Sequence, residues 1–211
     1  METAINFNKK SKRAARIDIV LSALNESKNI EAIMDVVKDL ASLLPVEKLI
    51  FVDNGSSDQT FKKLTSFKKR VPKLIILQNP SGSSYSEGIL RGLRSVTSEY
   101  FMSFHTDLQY DPKNFVIENE KIIKNAIKNK KNIVGKRTGR PLLDALAGLL
   151  FKLWVMFYLK IKFFDYNGQP RIIQNKLDVK KLELLRGFGI DVGVCAQFEG
   201  ASFIEISVKE K

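Results

Sequence analysis

An α/β fold with a mostly parallel, doubly wound central sheet is what this sequence predicts. Three observations carry that expectation. Short apolar runs alternate with stretches of helical periodicity, as in strand–helix–strand units. Turn-forming polar residues close the apolar runs. The 211 residues are 44% hydrophobic and 27% charged, enough apolar material for one sizeable core and too much for a disordered chain.

The elements follow in order. Residues 1–15 are polar and basic and are expected to form a flexible arm. RIDIVLSAL at 16–24 reads as a strand ending near Asn25. Residues 27–44 place Ile30, Ile33, Met34, Val37, Leu40 and Ala41 on one apolar stripe, closed by Pro45, which predicts a helix. KLIFVD is a second strand, stopped by the turn-forming NGSSD. A helix from residue 58 or 59 to about 69 follows, with Asp58 expected as its cap. KLIILQ is a third strand, NPSGSS a loop, 85–96 a helix and 100–104 a fourth strand. A further strand is expected to end at Val134-Gly135. With no internal repeat and no linker, residues 16–211 read as one domain.

In such sheets ligands bind at the carboxyl ends of the strands. Here those ends carry Asn25-Glu26, Asp53-Asn54-Gly55-Ser56, Pro80-Ser81-Gly82 and His105-Thr106-Asp107. Taken alone, the Asp53–Ser56 stretch reads as a simple turn, and the small residues Ser81 to Ser84 as a surface turn or a phosphate cradle near a helix start. His105, Asp107 and Gln109 alternate, so an extended backbone points them to one side, toward a metal with its phosphate ligand or toward water.

Composition limits the chemistry. One cysteine, Cys195, excludes an internal disulfide and a cysteine-based zinc site, and suits a reducing, cytoplasmic setting. One histidine, His105, excludes histidine-rich metal sites and argues against a Ser-His-Asp triad. No apolar signal-like run follows the first residues. The net charge of +12 attracts phosphorylated substrates, anionic lipid surfaces or nucleic acid, or reflects solvated helix faces. No basic motif interleaved with aromatic residues supports nucleic acid as the partner. Residues 141–164 are apolar and aromatic but interrupted by Asp144, Lys152, Lys160 and Lys162. Placing Lys152 at mid-bilayer costs roughly 2.5–3.5 kcal/mol. The stretch therefore reads as amphipathic interfacial helices, with lysines snorkelling to the head groups, or as a core or homodimer helix.

Five segments in order resemble the family-2 glycosyltransferases of GT-A fold, a Rossmann-like three-layer sandwich, and within them the dolichyl- and undecaprenyl-phosphate sugar transferase branch. SALNE stands where that family has PALNE. FVDNGSSDQT stands in place of VDDGSxDxT, and FMSFHTDLQYDP resembles FxDADLQxxP. IVGKR corresponds to the family's GSR, and FDYNGQPRII to a later segment. The likeness spans about residues 16 to 208. It implies an inverting transfer of sugar from a UDP- or GDP-linked donor to an acceptor, a polyprenyl phosphate or another lipid-linked or cell-envelope glycan. It implies a peripheral place on the cytoplasmic face of the membrane, and a divalent cation, Mg²⁺ or Mn²⁺, between the donor's phosphates.

Carried over residue by residue, Ala23, Leu24, Asn25, Glu26, Asp53, Gly55, Ser56, Ser84, His105 and Thr106 fall in the nucleotide site. Asp107, Gln109 and His105 fall at the metal. Arg137 is placed to neutralise the leaving diphosphate, and Arg91 matches a helix arginine that packing or solvation explains as well. Gln169 and Arg171 fall on the acceptor side, where Arg171 would pair with an acceptor phosphate. Asp191 is either a general base or a helix-start carboxylate. His105 departs from the family pattern, since it stands where the first carboxylate of Asp-x-Asp belongs and removes one negative charge from a dication site. That departure supports a second expectation, a catalytically weak or inactive nucleotide- or lipid-binding relative.

Overall fold

The structure, a computed structural model, describes residues 15–138, 142–159, 165, 167–185, 189–198 and 203–209. The expected basic arm, apart from its last residue, and residues 160–164 lie outside them. Strands β1 (Ile17–Ala23), β2 (Val46–Asp53), β3 (Leu74–Gln78), β4 (Tyr100–Ser103), β5 (Asn132–Thr138), β6 (Arg171–Gln174) and β7 (Phe203–Lys209) form one sheet in the order β3-β2-β1-β4-β6-β5-β7. All neighbours pair in parallel except β6, which runs antiparallel to both β4 and β5. The first half thus reproduces the expected alternation. The reversed β6 was not foreseen.

Side-chain alternation explains why the strands read as unbroken apolar runs: both faces are covered. Ile17, Ile19 and Leu21 of β1, with Leu49 and Phe51 of β2 and Met102 of β4, face one apolar cluster. Helices α1 (Ile30–Leu43), α2 (Thr60–Phe67), α4 (Pro112–Glu118) and α5 (Glu120–Lys128) cover that face. Val20, Ile50 and Phe101 point the other way, onto α3 (Tyr85–Leu93), α7 (Val179–Leu185) and α8 (Ile190–Ala196). The predicted stripe of α1 is buried in full: Ile30, Ile33, Met34, Val37, Leu40 and Ala41. One charged residue breaks β1. Asp18 is fully buried and accepts from the Thr97 and Ser98 amides (2.8 and 3.1 Å) and from the Ser98 hydroxyl (2.7 Å), so its charge is satisfied inside the protein.

Two expectations are corrected here. Asp58 is not the cap of α2; that position belongs to Gln59. Asp58 Oδ1 accepts from the Thr60 amide (2.8 Å) and hydroxyl (2.5 Å), while Oδ2 accepts from the Ser27 amide (3.1 Å). It therefore ties the start of α2 to the loop after β1. Residues 142–159 form one helix, α6 (Leu142–Leu159), in place of a pair over 141–164. Among its described side chains a narrow strip packs inward: Val155, with Phe151 and Met156, meets Val134, Val192 and Cys195. Leu146, Leu149, Leu150, Leu153, Trp154, Phe157 and Tyr158 are exposed, Phe157 by 80%. The described part of the helix is apolar on its outer face also, and the side chains of Asp144 and Lys152 lie outside the described set. Among the described residues no helix is long and apolar enough to cross a membrane.

Candidate functional site

β1, β2, β3 and β4 run in parallel, so their carboxyl ends and the loops that follow share one edge of the sheet. That edge is held together by a polar network spanning three strands. Asn54, buried just after β2, donates to Ser22 Oγ of β1 (2.8 Å) and to the Ser84 carbonyl (3.2 Å), and accepts from Asn79 after β3 (2.9 Å). Asn79 in turn accepts from Arg91 (3.1 Å). Sequence reasoning passed over Ser22 and Asn79, and took Asn54 only as part of a strand-end turn. Their signal was available, since polar residues ending apolar strands are buried only when bonded.

The proposed nucleotide residues are partly consumed by this scaffold. Asp53 is fully buried and accepts from the Ser56 amide (3.3 Å) and Gln78 Nε2 (3.1 Å). Asn25, exposed and in the left-handed region (φ 58°), donates its amide to Ser56 Oγ (2.9 Å) and accepts from the Ser57 amide (2.9 Å). Glu26 accepts from Asn29 (2.6 Å). Ala23 is buried and Leu24 half exposed. Gly55 has φ 76°, and a Cβ there would lie 2.5 Å from Ser81 Cα, so the loops after β2 and β3 approach each other only because this residue is glycine. Thr106 is buried, its hydroxyl 3.4 Å from the Ser22 carbonyl.

The phosphate reading of residues 81–84 meets a competing use. Ser84 caps α3 in a capping box: its hydroxyl accepts from the Glu87 amide (3.3 Å), and Glu87 Oε2 accepts from the Ser84 amide (2.7 Å). A carboxylate thus already stands at this helix start and repels an incoming phosphate. The Ser-x-x-Glu spacing was legible in the sequence. A cleft of about 740 Å³ opens beside this loop, lined by Asn79, Pro80, Ser83, Glu87, Arg91 and Arg94. Neither Asp53 nor Asp107 lines it.

Charged groups from its own loop (Asp107) and from three distant segments (Arg137, Arg171, Asp191) gather around His105. The ring is half-buried, and burial lowers its pKa; the Asp191 and Asp107 carboxylates pull it back up, while Arg171 and Arg137 push it down. The net effect lowers its pKa. Asp107 is exposed, its Oδ1 accepting from the Gln109 amide (3.0 Å). Gln109 is exposed beside it. Among the described residues no three His, Cys, Asp or Glu side chains cluster closely enough to hold a metal alone. Asp107 with His105 or Gln109 fits a magnesium-like cation only as a partial shell, the remaining ligands being phosphate oxygens.

The two arginines and Asp191 are engaged differently from the expectation. Arg137 forms a two-pronged pair with Asp165, Nε to Oδ2 at 2.9 Å and Nη2 to Oδ1 at 2.7 Å. Burial weighs against its charge, but Asp165 outweighs burial and raises its pKa. Arg171, only 2% exposed, pairs with Asp191 (2.8 Å) and donates to the Gly168 carbonyl through Nε and Nη2 (3.2 and 2.8 Å). Gln169 is also buried. With its amide turned to suit its neighbours, it donates to the Ser103 carbonyl (2.7 Å) and accepts from Arg171 (3.1 and 3.3 Å). Gln169 and Arg171 therefore form a buried brace between β4, β6 and α8, and they do not line an open acceptor surface. Cys195 is buried, which pushes its thiol pKa up to about 12 and leaves it inert.

The comparisons agree with this architecture. Residues 18–172 match the model of glycosyl transferase family 2. A dolichol-phosphate mannosyltransferase of Pyrococcus furiosus is 27% identical over 123 residues, 58% of this chain and 33% of that protein. A poly-beta-1,6-N-acetyl-D-glucosamine synthase of Staphylococcus epidermidis is 28% identical over 149 residues, 69% of this chain and 33% of that protein. The matched part thus spans about a third of the length of these curated relatives. Among solved structures, glucosyl-3-phosphoglycerate synthase from Mycobacterium tuberculosis, in complex with Mn²⁺, UDP and glucosyl-3-phosphoglycerate, superposes with a TM-score of 0.66 at 17% identity, over 94% of this chain and 72% of that one. That likeness shows the GT-A fold. With the family model matching well over half of its length, the chain belongs to glycosyl transferase family 2.

Proposed function

We propose that residues 16–211 form an inverting glycosyltransferase domain that takes a sugar from a UDP- or GDP-linked donor and passes it to a polyprenyl phosphate or another lipid-linked or cell-envelope glycan acceptor. The observation that carries the reading is the meeting of Asp107, His105, Arg137, Arg171 and Asp191 at the carboxyl edge of the sheet. The family match supports the donor class. The mannosyltransferase of P. furiosus, named for dolichol phosphate, supports a lipid-phosphate acceptor. The exposed apolar face of α6 supports a peripheral site at the membrane surface, where such an acceptor resides.

Each residue then has a role. Asp107, with His105 or Gln109, would hold Mg²⁺ or Mn²⁺, whose chemistry is to neutralise charge growing on the leaving diphosphate. Arg137 is charge-balanced by Asp165, so it offers oriented N–H groups to that diphosphate and adds little net positive charge. Asp191, aimed by Arg171, is the candidate base for an alcohol acceptor. A lipid phosphate is already an anion and needs no base; for it, Arg171 keeps Asp191 from repelling the nucleophile.

The test is nucleotide release from UDP- and GDP-sugars with polyprenyl phosphate and Mn²⁺. Asp107→Ala should lower turnover by about 100-fold or more, the usual cost of losing one preorganised electrostatic group; full activity in that variant removes the proposal. The alternative of a catalytically weak nucleotide- or lipid-binding relative rests on His105 standing in place of a carboxylate. Nucleotide binding by calorimetry without sugar release from any donor would select it.

A further inference from the structure

Tyr85 is the first residue of α3, directly after the Ser84 cap. Its phenol packs into the cluster shared by α3 and α8, and its ring centroid lies 5.2 Å from that of His105. The hydroxyl oxygen is buried and, among the described residues, meets no hydrogen-bond partner. It sits in the field of Asp191, Arg171 and Asp107, and burial followed by the Asp191 carboxylate keeps the phenol protonated at any physiological pH. A buried hydroxyl without a partner destabilises a protein, and phenylalanine would fill the same space without that cost. An orphan group inside the proposed site is accounted for when its partner arrives with the substrate.

The surroundings choose the partner. A phosphate oxygen brought to Tyr85 would face the Asp191 carboxylate first, and Arg171, the one cation in that field among the described residues, is already paired with Asp191. A sugar hydroxyl is neutral; it can accept from the phenol and donate to a carboxylate at once. We propose that Tyr85 is a donor-sugar recognition residue, its hydroxyl bonding one hydroxyl of the hexose on the nucleotide sugar and so helping to set which sugar is accepted. The inference rests on the glycosyltransferase reading given above. Since the oxygen is shielded from solvent, the sugar reaches it by displacing a covering group, and His105, half-buried against the ring, is the side chain placed to yield.

The experiment compares the intact chain with its Tyr85→Phe variant. Calorimetry with Mn²⁺ measures UDP and GDP alone, then UDP-glucose, UDP-N-acetylglucosamine, GDP-mannose and monodeoxy forms of whichever binds best. The expected result is unchanged affinity for the bare nucleotide and roughly 10-fold weaker binding of the best nucleotide sugar, the value of one hydrogen bond. One deoxy sugar should bind the wild type as weakly as the parent sugar binds the variant, and the variant should not distinguish the two. Without ligand, the variant should melt no lower than the wild type, since it loses only an unpaired oxygen. Equal binding of the parent sugar by both proteins overturns the assignment of Tyr85 alone. A lower melting temperature for the unliganded variant overturns it too, by revealing a partner within the protein. If the wild type binds no nucleotide sugar, the glycosyltransferase reading itself falls, and this inference with it.

Discussion

Removing the carboxylate of Asp191 tests whether the brace behind the site is structural, catalytic or both. Arg171 is 2% exposed and Asp191 14% by side chain, and they meet at 2.8 Å. Breaking a buried ion pair from one side costs about 3–5 kcal/mol, because the remaining charge is stranded. Here the guanidinium keeps the Gly168 carbonyl as a double acceptor, so the lower end applies, about 3 kcal/mol for Asp191→Ala. For a chain of this size that is a fall in melting temperature of roughly 6–12 °C. Asp191→Asn retains an acceptor oxygen and should cost about 1 kcal/mol. The two variants also separate roles: Asp191→Asn should abolish transfer to an alcohol acceptor yet spare transfer to a lipid phosphate. Pairing Asp191→Ala with Arg171→Met in a double-mutant cycle, read by urea denaturation, should return a coupling of about 2 kcal/mol. Additive losses, or an Asp191→Ala protein as stable as the wild type, would refute the argument.

Two further outcomes follow from other parts of the fold. In Asp58, burial raises the pKa but the hydrogen bonds from Thr60 and Ser27 outweigh it and hold the pKa at about 2, against 3.8 ordinarily. A depressed carboxylate pKa stabilises the protein above the unfolded value and loses that contribution as pH falls from about 4 toward 2. Asp58 is exposed, so after solvent screening Asp58→Asn should cost about 1 kcal/mol at pH 7, with the difference from wild type vanishing near pH 2 in denaturant titrations. On α6, Phe157→Glu should weaken co-sedimentation with anionic vesicles by roughly 10-fold, the loss expected when one buried aromatic becomes a charge. If vesicle binding is unchanged while a wild-type dimer dissociates in the ultracentrifuge, the face belongs to a second copy of the chain.

The alternation of strands and helices was legible because each signal is local. A strand covered on both faces must be apolar along its length, and IDIVLSA and LIFVD could be little else. The stripe on α1 declared its buried face by spacing alone. The loops ending these strands were also legible as the polar edge where a site would form. Their individual roles were less so. Ser84 was left between a surface turn and a phosphate cradle although Glu87 already stood three residues on, and Asp58 was read as a cap although its partners include Ser27, 31 residues away.

By itself, then, the chain's order of residues determined the layered α/β architecture, the edge that bears the polar groups and the family pattern in which His105 is the odd member. Tertiary structure alone decided that Arg171 is held by Asp191, Arg137 by Asp165, and that Tyr85 lies against His105. The physical reason is range. Hydrophobic periodicity and capping act over a few residues and are written in spacing, whereas the partner of a buried charge is whichever opposite charge the fold brings within about 3 Å, as Asp191 meets Arg171 across 20 residues of chain.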